Sequence, residues 1–88
     1  MKLYRIQTEN LNKALICEHV SNYFDGFSIY EQIGYWQGKA ENSLCIEICA
    51  GDADVDKYKI NMLCHNIGVH NSQQAVMLQI INIEMQLI

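Results

Sequence analysis

Residues 33 to 48, IGYWQGKAENSLCIEI, gather the groups best able to hold a ligand. Tyr35 and the chain's single tryptophan, Trp36, offer flat apolar rings for stacking. Gly34 and Gly38 leave the backbone open to close approach, and Lys39 adds a positive charge. A small anionic molecule suits that set. The same pattern suits a tight hairpin whose aromatics cover a neighbouring subunit. The two readings are compatible, because clefts between subunits are common ligand sites.

Other chemistry-bearing residues are less well spaced. Cys45 and Cys49 lie four apart on a strand, which separates their Cα atoms by about 13 Å. Two thiolates on one zinc stand within about 4.6 Å of each other. One strand cannot satisfy both distances, although three symmetry-related copies of one cysteine could. Cys64 and His65 are neighbours on a helix and point about 100° apart. His70 follows the expected helix end at Gly68, and His19 sits beside an apolar helical stripe. Asp52, Asp54 and Asp56 open like a calcium loop, but Lys57 replaces the required glycine and Leu63 the closing glutamate. They read instead as a helix start whose acids favour the positive end of the dipole. No cysteine or serine is set beside a histidine as an activated nucleophile, and no phosphate-cradling loop is present. The sequence therefore leads to expectations of no catalytic residues, no metal site and no cofactor, that is, of a binding protein rather than an enzyme.

The bulk properties agree with a small ordered module. Eighty-eight residues, half of them hydrophobic and none of them proline, suit one domain over residues 1–88. A chain this short buries only about 60–65% of its unfolded surface, so self-association is a common remedy. A net charge of −4 argues against a broad nucleic-acid interface. The start MKLYRIQTEN turns polar too early for a signal peptide, and no apolar run is long enough for a membrane helix. A cytoplasmic protein without membrane partners is expected, with its four cysteines as free thiols.

The elements that must position these residues follow from periodicity. KLYRIQ alternates as a strand, and Thr8 or Asn10 can cap the helix after it. Leu11, Leu15, Ile16, His19, Val20, Tyr23 and Phe24 have helical spacing, ended by Asp25-Gly26. FSIYEQIGYW and SLCIEIC alternate as two strands. Ile60, Leu63, Cys64 and Ile67 mark a second helix, stopped at Gly68. The last segment is rich in strand formers. Its alternation shifts phase near Leu78 to Ile81, which suggests a bulge there and a possible fifth strand or arm beyond. The order β-α-β-β-α-β is the ferredoxin-like one, an α+β sandwich. Its second sheet face, with Leu3, Arg5, Cys45, Glu47 and Cys49, needs a cover that copies of the chain can supply.

With that order established, YWQGKAENSLCIEI resembles the second hairpin of the CutA family. Trp36, Gly38, Lys39 and Glu41 match its W-x-G-K-x-E turn in type and spacing, and VHNSQQAVMLQI resembles its approach to the last strand. The small-residue and cysteine motif at the family's first helix is absent, and so is its terminal Pro-Tyr. The resemblance implies a ferredoxin-like homotrimer akin to the PII signalling proteins, which hold nucleotides between subunits. It also carries a CutA-like metal-binding alternative. YFDGFSIYEQIGYWQGK is similar to short phage and mobile-element proteins, which implies an accessory role in binding a host nucleotide signal. The resulting expectation is a homo-oligomer, a trimer, with Gly34, Tyr35, Trp36, Gly38 and Lys39 as its ligand-binding residues. A structural or protein-interaction module without a ligand stands as the alternative.

Overall fold

A computed structural model describes residues 1–73 and 75–88. Its elements are β1 (Lys2–Glu9), α1 (Lys13–Tyr23), β2 (Ser28–Trp36), β3 (Lys39–Ala50), α2 (Asp54–His70) and β4 (Met77–Asn82). The strands form an antiparallel sheet in the order β2-β3-β1-β4, which is the ferredoxin-like arrangement. Alternation dictates what each face carries. Tyr4 and Ile6 of β1 line up with Ile48 and Ile46 of β3 beneath the helices, and all four are buried. Ile16 and Val20 of α1 and Ile60, Leu63 and Ile67 of α2 recur at helical spacing and close over them. At roughly 25 cal/mol per Å² of apolar surface, this layer is the main source of stability.

Several local expectations are corrected. Thr8 caps no helix: it is a buried residue of β1, hydrogen-bonded to Gln73 and accepting from Asn71. Asn10 is no cap either; α1 opens after Asn12, which sits at φ 55° and makes no side-chain cap bond. At the other end, the chain leaves α1 through an extended Phe24, whose N–H donates to the Val20 carbonyl, so Gly26 is not needed as the stop. Gly68 does not end α2, which runs on to His70 because buried Ile67 fastens its last turn to the core. The ladder of β4 on β1 is unbroken from Met77 to Asn82, so no bulge interrupts it. Pairing with β1 outweighs the local change in pattern.

β2 and β3 extend past the rest of the sheet. β1 ends opposite Ser43, so residues 33–42 form a two-stranded ribbon without a third strand. At the opposite end and along the other edge, residues 83–88 run on beyond β4. The bond from Ile83 N–H to the Met1 carbonyl, at 3.3 Å, continues the β4 pairing there.

Candidate functional site

All five sequence-selected residues lie on this ribbon. Gln37 and Gly38, at φ 50° and 77°, form the two-residue turn that matches the twist of paired strands. Trp36 pairs with Lys39 across it, and Gly34 with Glu41. The turn is thus shorter than the expected loop, and Lys39 already belongs to β3. Tyr35 is 76% exposed, Trp36 67% and Ile33 67%. Because successive strand residues face opposite ways, Ile33 and Tyr35 lie on the helix side of the sheet and Trp36 on the other. Within one chain the two rings do not form a single wall. Gly34 leaves a gap beside Trp36, where an added Cβ would meet only Ser43 Oγ, at 3.6 Å.

The sheet face opposite the helices carries a second constellation. Ser28, Glu47, Arg5 and Gln79 form one row across four strands, and Tyr30, Cys45, Gln7 and Met77 the next. Gln32 donates to Gln7 at 2.7 Å, reaching over β3, and Gln7 donates to Gln79 at 2.9 Å. Arg5 reaches Glu47 at 3.4 Å, while its Nε is buried without a partner among the described residues. The Tyr30 phenol is pushed up to about 12, first by hydrogen bonding with Cys45, then by Glu47. Cys45 itself is buried beneath this layer, whereas Cys49 is exposed. Leu3, Cys49 and Ile81 border the polar patch as an apolar row. The alternation of the strands had already put Leu3, Arg5, Cys45, Glu47 and Cys49 on one face. The same alternation extends to Gln7, but it could not reveal Tyr30, Gln32 and Gln79 as neighbours, because that depends on register between strands.

The remaining candidates separate. Cys64 is half-buried, and burial pushes its thiol up to about 11, which suits packing rather than reactivity. His70 lies on the helix and stacks against His19 with ring centroids 4.5 Å apart. Asp52 pairs with Lys57 at 3.2 Å near the start of α2. Among the described residues, no three His, Cys, Asp or Glu side chains converge as metal ligands. Among the same residues, no helix is long and apolar enough to cross a membrane. A groove of about 480 Å³ lies along the end of α2, lined in part by Cys64, His65, Val69 and Val76.

Comparison with protein-family models finds no match, and neither does comparison with curated proteins. Solved structures do resemble the chain. A phage SAM lyase in complex with S-methyl-5′-thioadenosine superposes with a TM-score of 0.71 at 16% identity, covering 90% of this chain and 78% of that one. A DUF3240 family protein from Shewanella baltica OS155 gives 0.70 at 15% identity, covering 97% and 91%. At these identities the likeness establishes the fold, and neither description names CutA or PII. The expectation of a non-enzymatic protein is overturned by the lyase. An enzyme is built on this same architecture, so the lack of a local catalytic signature in the sequence does not argue against catalysis.

Proposed function

We propose that the chain assembles with copies of itself, as a trimer, and binds a small nucleoside-like or anionic ligand in the clefts between subunits. The exposed ribbon carries this reading. An isolated two-stranded ribbon is at best marginally stable in water. One that displays Ile33, Tyr35 and Trp36 to solvent is suited to being covered by a second copy. In such a cleft Trp36 supplies the stacking wall, Gly34 and Gly38 admit the ligand to the backbone, and Lys39 meets its negative group. The fold shared with a protein that holds S-methyl-5′-thioadenosine supports a nucleoside-like ligand, and its phage origin supports a phage or mobile-element source.

The test is to titrate nucleotides, S-methyl-5′-thioadenosine and SAM while following Trp36 fluorescence, with product analysis for SAM and sizing of each variant. Stacking on an aromatic platform is worth about 1–3 kcal/mol, so Trp36→Ala is expected to weaken binding at every salt concentration. Lys39→Ala is expected to weaken it mainly at low salt, since a lone charge is screened over about 8–10 Å. Dissociation by Trp36→Ala, with no response of the parent protein to any compound, would favour a hairpin that only assembles subunits.

A further inference from the structure

The ribbon lacks a third strand and residues 83–88 run on past the pairing of β4 with β1, and the two complement each other. In the ladder of β2 with β3, Trp36, Gly34, Gln32, Tyr30 and Ser28 turn their backbone bonds inward. This phase follows from the two-residue turn, in which Trp36 and Lys39 form the closing hydrogen-bonded pair. Ile29, Glu31, Ile33 and Tyr35 therefore present their N–H and C=O groups to the free edge. At the other edge, the Ile83 N–H bonds to Met1, so the even-numbered residues of β4 and Glu84 present theirs outward. Both edges are exposed templates for strand addition, which proteins normally blunt or cover.

The sequence beyond β4 reads IEMQLI, with Ile83, Met85 and Leu87 continuing the alternation of the face opposite the helices. Leu87 is 95% exposed and Met85 47%. We propose that residues 83–88 of one copy add as an antiparallel strand to the free edge of β2 in the ribbon of a second copy. One register matches both sides of the new pair. It sets Met85 opposite Trp36, Leu87 opposite the gap at Gly34, Gln86 opposite Tyr35 and Ile88 opposite Ile33. A thioether against an indole is a favourable contact, and Leu87 fills space that a side chain at position 34 would occupy. Glu84, the one charged residue of the segment, then comes level with the Gln37-Gly38 turn, past the end of the pairing. The contact is head-to-tail, since different surfaces meet, and it closes into a ring when the rotation permits. This inference rests on the self-association proposed above and specifies its contact. In the assembly Leu87 of a neighbour covers Gly34, so the ligand meets the backbone at Gly38, and Met85 of that neighbour walls the cleft beside Trp36.

Two variants test the donor and the acceptor by native mass spectrometry, with circular dichroism as the check on folding. Met85→Lys/Leu87→Lys alters only exposed side chains and is expected to give a folded monomer. Ile33→Pro removes a donor that points away from β3, a position where an edge strand tolerates proline, and is expected to do the same. Mixing the two variants is not expected to restore the closed oligomer, because each still lacks one half of the head-to-tail contact in a ring. An oligomer that survives the double lysine variant overturns the inference while leaving self-association intact. A monomeric parent protein overturns both. Loss of assembly in Ile33→Pro alone also overturns it, in favour of pairing between two β2 edges.

Discussion

The two faces of one sheet, made by the same strands, have opposite characters. Under the helices, Ile6, Ile46 and Leu44 show no exposed surface, and their neighbours are branched aliphatic side chains from α1 and α2. On the reverse, Arg5 pairs with Glu47, Gln32, Gln7 and Gln79 form a lateral chain, and Tyr30 faces Cys45 and Glu47, with apolar Leu3 and Ile81 at the border. The first face is complete within a single chain. The second satisfies many of its polar groups in the plane of the sheet but has no layer above it. Stability of the monomer and readiness to associate are thus divided between faces, and substitutions can separate them.

The largest difference is expected from Ile46→Ala, which empties space in the helix-covered core and should cost about 2–5 kcal/mol in a denaturant titration. Cys45→Ser, at the adjacent position on the other face, should cost about 1–2 kcal/mol because this thiol is also buried. Equal losses would break the contrast. Cys49→Ser should stay within about 0.5 kcal/mol, as an exposed site. Arg5→Ala falls between the two cysteine variants, because it strands the Glu47 carboxylate in a half-buried site. A loss of about 1 kcal/mol is expected, and high salt should shrink it. Thiol labelling of the native protein sharpens the comparison at lower cost to the fold. Cys49 should react first, with Cys45 and Cys64 following only when the chain opens; early labelling of Cys45 would show the open face to be loosely packed.

The subtlest effect concerns alkali. Both Tyr30 and Tyr4 are raised above the ordinary phenol value, Tyr30 by Cys45 and Glu47 and Tyr4 chiefly by burial. A raised folded value means that the protonated phenol contributes stability below the unfolded value of about 10, and this contribution disappears as pH climbs through the folded one. Stability should therefore decline between about pH 10 and 12. Tyr30→Phe should remove a phenolate step near pH 12 from an absorbance titration. Loss of a step near the ordinary value of about 10 instead would place Tyr30 outside the polar network.

Much of the fold was legible because the periodicities of two and 3.6 were clean in KLYRIQ, SLCIEI and the Ile60–Ile67 stripe. The end signals misled where tertiary contacts prevailed. Gly68 looked like a helix stop, yet Ile67 is anchored in the core, and the phase shift near Leu78 yields to an unbroken ladder on β1. For the candidate site, sequence located the hairpin and its aromatics. It did not separate Tyr35 from Trp36, although adjacency on a strand is enough to send them to opposite sides. The glutamine ladder was out of reach, because Gln7, Gln32 and Gln79 meet only through the pairing of strands far apart in the chain.

The central place of β1 has a consequence for how the chain comes to be made. β1 lies between β3 and β4 and is synthesised before both, with α1, β2, β3 and α2 all separating it from β4. Until Met77–Asn82 emerges, one side of β1 has no partner. Most of the pairing that completes the sheet is therefore long-range in sequence, a topology that folds slowly and leaves a strand edge open to chaperones during synthesis.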